Sequence, residues 1–106
     1  MRKTIILAAT VLVALSALGE AADHQVAQKG RLFSVESITV KKGDTITFVN
    51  DDSVPHNIMS TSSGNEFNLG SQGPGTSTPV TFNQAGDFEV ICAIHPRMKM
   101  TVKVTE

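Results

Sequence analysis

The residues best equipped for chemistry lie in one short run near the C-terminus, Cys92-Ala93-Ile94-His95-Pro96-Arg97-Met98. A thiol, an imidazole and a thioether follow one another there at intervals of three. Given one cysteine, three histidines and four methionines in 106 residues, that spacing arises by chance roughly once in a thousand. A second imidazole, His56, sits well upstream in Val54-Pro55-His56-Asn57-Ile58. Two nitrogens, a thiolate and a weak thioether donor suit copper rather than magnesium or calcium, and they make up the donor set of an electron-transfer copper site. The candidate metal residues are therefore His56, Cys92, His95 and Met98, with one copper ion as the cofactor. Other chemistries fit less well. A Cys92–His95 nucleophilic pair leaves Met98 without a role, and no glycine turn or helix start adjoins the cysteine to stabilise an oxyanion. A structural zinc site would want a thiolate or imidazole in place of the methionine.

Something must bring His56 to the distant run and keep Cys92 occupied. The first residues bear on the second point. Arg2 and Lys3 precede an uncharged stretch, Ile5 to Leu18, and small residues follow as far as Ala22. Such a run is short of the ~20 residues of a membrane span and has the form of a secretory signal peptide. Cleavage after Ala21 places Gly19 and Ala21 at the two positions that must be small, so residues 1–21 are expected to be leader and 22–106 one domain. The mature chain then carries seven basic and nine acidic residues, which offers no footprint for nucleic acid. A lone thiol exported to an oxidising compartment is a liability unless something binds it. The 85 residues left after 21 are removed also make a small core, which commonly needs a metal or other staple.

The mature region reads as short segments of period-two alternation separated by turn residues, with no heptad and no long amphipathic helix. Ile38 and Val40 alternate with polar neighbours, Lys42-Gly43-Asp44 turns the chain, and Ile46 and Phe48 alternate again, which predicts a hairpin. Short strands are expected over Leu32–Val35 and Ile58–Thr61, and mostly loop over Ser62–Ser77. Val80 and Phe82 share a face, as do Phe88, Val90 and Cys92, and then Met100, Val102 and Val104. Cys92 thereby faces the core, and Met100 reads as a core residue rather than a ligand. About seven strands in such a chain predict an all-β, antiparallel sandwich. Asn57, beside the first histidine, is placed to brace the ligand loop by hydrogen bonding.

The order and register of Ile38–Asn50, Pro55-His56-Asn57-Ile58, Ala85-Gly86-Asp87-Phe88 and Cys92-x2-His95-Pro96-x-Met98 resemble the cupredoxins, the small blue copper proteins, and within them the amicyanin branch. The resemblance spans about residues 31 to 105. It implies a Greek-key sandwich, a type I copper bound by His56, Cys92, His95 and axial Met98, and periplasmic single-electron transfer between transient protein partners. The protein would act as a monomeric carrier and not an enzyme. A periplasmic copper chaperone or copper-tolerance sink would use the same ligands and stands as the alternative. Cleavage after Ala21 would also expose Ala22-Asp23-His24, whose amine, two amides and imidazole could form a square of nitrogens for a second Cu(II). The simpler expectation for that segment is a disordered tail.

Overall fold

A computed structural model describes residues 20–106, so the expected leader lies largely outside the described residues. The described residues form nine strands: β1 (Asp23–Lys29), β2 (Leu32–Phe33), β3 (Ser37–Lys41), β4 (Thr45–Asn50), β5 (Ile58–Ser60), β6 (Phe67–Asn68), β7 (Ser77–Thr81), β8 (Gly86–Cys92) and β9 (His95–Thr105). They build two sheets, ordered β2-β1-β4-β7 and β3-β9-β8-β5-β6. Among the described residues there is no helix. The expected sandwich is present, but its sheets are mixed. β1 runs parallel to β4 and β3 parallel to β9, while the other pairings are antiparallel.

The alternation that marks each strand also builds the core. Ile46 and Phe48 of β4, Phe88, Val90 and Cys92 of β8, and Met98, Met100, Val102 and Val104 of β9 are all buried, while their odd neighbours point outward. Met100 is thus a core residue, as its parity requires. Phe67 reaches in from the short edge strand β6, its ring 6.1 Å from that of Phe48 and 6.0 Å from that of Phe82. These spacings are those of packed aromatic pairs.

The hairpin expected at Lys42-Gly43-Asp44 is not formed. The turn is there, with Gly43 at a φ of 93° that favours glycine, but it carries the chain from one sheet to the other. Its hydrogen bonds show why: Lys42 N–H donates to Thr105 of β9, whereas Gly43 N–H donates to Phe82 beyond β7. Each flanking strand therefore finds its partners in a different sheet.

Asp44 closes this corner. Its buried carboxylate accepts from the backbone N–H groups of Ala22 and Lys41 and from Nε2–H of His24, each at 2.9 Å. The segment expected to be a tail is accordingly a sheet strand, β1, with Val26 fully buried. His24 points its Nε2 at Asp44 from an extended backbone, so the residues 22–24 are not gathered around a common centre as a square of nitrogens requires.

The Ala22 N–H, then His24 and the Lys41 N–H, lower the Asp44 pKa from 3.8 to about 2. A depressed carboxylate contributes stability that is complete above its unfolded value and is lost as pH falls through the folded one. Tm should therefore drop between pH about 4 and about 2, and Asp44→Asn should flatten that part of the profile while lowering Tm at neutral pH. Calorimetry across this range checks it. An identical acid profile in the variant would show that the corner contributes nothing.

Candidate metal centre

Cys92 and His95 are the facing residues of the β8–β9 hairpin, joined by the two-residue turn Ala93-Ile94. This is the structural meaning of their spacing: a two-residue turn sets the residues on either side of it opposite each other. The register then breaks. Ile91 faces Lys99 while Cys92 faces His95, so Pro96, Arg97 and Met98 are extra on the β9 side and form a bulge. Bulges re-aim side chains, and this one exposes Pro96 and Arg97 while turning Met98 into the core. Proline suits a position with no ladder bond to make.

His56 arrives from the other direction, on the segment leading into β5. It is pinned to Gln72 by a reciprocal pair of backbone hydrogen bonds of 3.0 and 2.7 Å, and Ile58 then pairs with Cys92. The result is convergence. His56 Nδ1 lies 3.0 Å from His95 Nδ1, and Cys92 Sγ lies 3.6 Å from each nitrogen. A point equidistant from these three atoms is about 2.0 Å from each, an ordinary metal–nitrogen bond length and slightly inside the ~2.3 Å of a metal–thiolate bond. Two imidazole lone pairs and a sulfur crowded this closely call for protons or a cation between them, and the set of soft and borderline donors fits copper. Met98, three residues beyond His95, is buried in the core that also holds Cys92.

One carboxylate settles the orientation of His56. Asp52 Oδ2 lies 3.0 Å from Nε2 of this fully buried ring. Asp52 is held well below the usual carboxylate range, first by the Arg31 backbone N–H and then by His56. Ionised, it is an acceptor only, so Nε2 carries the proton and Nδ1 presents its lone pair to the site. The Arg31 and Ser53 N–H groups donate to the same carboxylate at 2.8 and 3.0 Å. Arg31 has a φ of 58°, an uncommon conformation outside glycine, and this anchored turn is where the chain adopts it.

Asn57 braces the loop, as expected from its position, but with its backbone. Its N–H donates to Cys92 Sγ at 3.3 Å and its carbonyl accepts from Ala93 N–H at 2.8 Å, whereas its side chain donates to Asn68. Beneath lies Asn50, buried, whose amide donates to the carbonyls of Val54 and Gln72, each at 3.0 Å. In the sequence, Asn50 and Asp52 belong to the run Asn50-Asp51-Asp52-Ser53, whose residue types signal a turn and nothing of the site. The available signal for Asp52 was its position four residues before a candidate ligand histidine.

Residues 21–105 match the family model for copper binding proteins of the plastocyanin/azurin family. The chain belongs to this family. It is a cupredoxin, and its fold and donor set agree with that membership. Amicyanin-alpha of Methylorubrum extorquens is 32% identical over 76 residues, covering 68% of this chain and 63% of its own length. Chloroplastic plastocyanin of Oryza sativa subsp. indica is 36% identical over 113 aligned residues, covering 92% of this chain and 73% of its own. A purple cupredoxin from Nitrosopumilus maritimus superposes with a TM-score of 0.70 at 28% identity, over 78% of this chain and 100% of that one. The cofactor of this cupredoxin is copper, the metal of its family and the one its donors suit.

Groups that orient metal-bound histidines typically contribute 10–100-fold to metal affinity. Asp52→Ala should therefore weaken copper binding by about that factor, measured by competition with a chelator of known affinity. Affinity equal to the parent's would show that His56 does not depend on Asp52.

Proposed function

We propose that this cupredoxin is an exported, periplasmic electron carrier in which copper, bound by His56, Cys92, His95 and Met98, cycles between Cu(II) and Cu(I). One observation supports this reading above others: His56, Cys92 and Met98 are 0%, 0% and 1% exposed, whereas His95 is only partly covered. Three donors out of reach of water and competing ligands favour retention of the metal. A fourth at the surface favours passage of an electron without passage of the ion.

The chemistry that bound copper supplies is one-electron exchange. The chain's part is to hold the donors still. His56 is fixed by Asp52 and by the Gln72 bridge, Cys92 by the Asn57 N–H, and His95 by its place at the hairpin end. Ligands held rigidly between the preferences of the two oxidation states limit the rearrangement that accompanies transfer. Electrons would enter and leave over the exposed edge of His95, beside Pro96 and with Pro55 also at the surface. The oxidation or reduction of any substrate would belong to the proteins it meets, and such encounters usually bury less than ~1,200 Å² in total.

A copper chaperone or sink would need an exchangeable ion, and buried donors work against ready release. Cu(I) retention against an excess chelator separates the two roles. Export is supported by the leader pattern at residues 1–21, and amino-terminal sequencing of protein recovered from the periplasm tests both the location and the cut before Ala22.

Cys92→Ser should abolish the intense visible band of the Cu(II) protein, because thiolate donation is its source; a retained band would contradict the ligand assignment. Met98→Leu should keep the band and raise the reduction potential, since loss of a weak thioether donor would disfavour Cu(II). Voltammetry showing an unchanged potential would remove Met98 from the site.

A further inference from the structure

The surface around His95 is neither flat nor uniformly apolar. A groove of about 410 Å³ runs beside the ring, lined by Arg31, Leu32, Pro96 and Arg97 as well as His95 itself. Leu32 is 63% exposed, and Ile94, in the turn between Cys92 and His95, is 54% exposed, making them two of the three large hydrophobics most open to solvent among the described residues. The apolar floor is flanked by two guanidinium-bearing residues from different parts of the fold, one in the β1–β2 turn and one in the β9 bulge.

Charge is distributed unevenly along the molecule. β1 and β4 end near the site and β9 begins there, so Lys29, next to the β1–β2 turn, and Lys99, next to the bulge, add to the charge of Arg31 and Arg97 at this end. Of the acids nearest the groove, Asp51 is exposed, while Asp52 is turned inward on His56 and only 11% exposed; Glu36 and Glu89, both exposed, lie further back, against Thr101 of β9. Residues 22–106 as a whole carry a net negative charge, seven basic against nine acidic side chains. The site end is therefore a basic rim on an acidic protein.

We propose that the groove docks an acidic redox protein, one whose electron-exchange site presents a small apolar contact encircled by carboxylates. Leu32 and Pro96 would meet the apolar centre, and Arg31 and Arg97 the acids. A small anion would gain nothing from Leu32 and Ile94, and a basic protein would be repelled by four cationic side chains. Arginine suits the task because its planar fork binds carboxylates bidentately and is more weakly hydrated than an ammonium. Complementary charge of this kind acts mainly on the association rate and makes it fall with salt. The inference rests on the electron-carrier reading above and specifies the partner for it.

The test is stopped-flow electron transfer between the copper-loaded protein and two c-type cytochromes, one with an acidic surface and one with a basic surface. The acidic cytochrome should react faster at low ionic strength, and its rate constant should fall about tenfold or more between ~10 and ~500 mM salt. Arg31→Glu/Arg97→Glu should lose a similar factor at low salt and shift preference to the basic cytochrome. Lys41→Glu/Lys42→Glu makes the same charge change at the far end and should alter the rate less than about twofold. If the double Arg→Glu variant loses its visible spectrum, Arg31→Gln/Arg97→Gln replaces it, and the salt dependence of the parent stands without either. Preference of the parent for the basic cytochrome, a rate indifferent to salt, equal effects of the two charge reversals, or inactivity with both cytochromes would overturn the proposal. Reduction of the Cu(II) protein by hydroquinone, a neutral molecule, checks the carrier reading separately; failure there would count against that reading and not merely against the acidic partner.

Discussion

A fully buried imidazole must satisfy both of its ring nitrogens without water, and the site end of this protein is organised around that requirement at His56. Asp52 accepts the hydrogen bond from Nε2–H and leaves the Nδ1 lone pair facing Cys92 and His95. The carboxylate is itself buried enough to need partners, which it finds in the Arg31 and Ser53 N–H groups. A ligand orientation is thus tied to the β1–β2 turn, and that turn also carries Arg31 and Leu32 to the surface beside His95. Metal centre and outer face share one carboxylate.

The sandwich supplies what those local contacts lack, which is distance across the chain. His56 and Cys92 are 36 residues apart and meet because β5 and β8 pair, with Ile58 facing Cys92. Cys92 and His95 meet because a two-residue turn allows no other arrangement. Met98 enters from a bulge that ends where the regular β9 alternation of Met100, Val102 and Val104 begins. Cores this closely packed resist small displacements, so donors attached to them share that stiffness.

Much of this was legible from residue types. The donor run named its own chemistry, and the parities of Phe88, Val90 and Cys92 and of Met100, Val102 and Val104 are those observed. The misreadings have a common cause, which is that local patterns report what a segment does and not what it pairs with. Lys42-Gly43-Asp44 shows that the chain turns; only the competing partners Thr105 and Phe82 show that it turns between sheets. β1 escaped notice because Asp23–Lys29 has a single large apolar residue, Val26, and buries Gln28, so hydrophobic alternation is absent. Parallel pairing of β1 with β4 and of β3 with β9 has no sequence signature at all in strands this short. Asp52 sat among residues that signal a turn, and its role emerges only once the turn of Arg31 folds over it.

Attachment to paired strands and to Asp52 should hold His56, Cys92 and His95 in place whether or not copper is bound. Crystal structures of the metal-free and Cu(II)-loaded protein test it most directly. His56 Nδ1, Cys92 Sγ and His95 Nδ1 should superpose within about 0.5 Å between the two, with the Asp52–His56 hydrogen bond present in both. A metal-free structure in which His56 has turned away from Asp52, or in which the donors close up only around the ion, would contradict it.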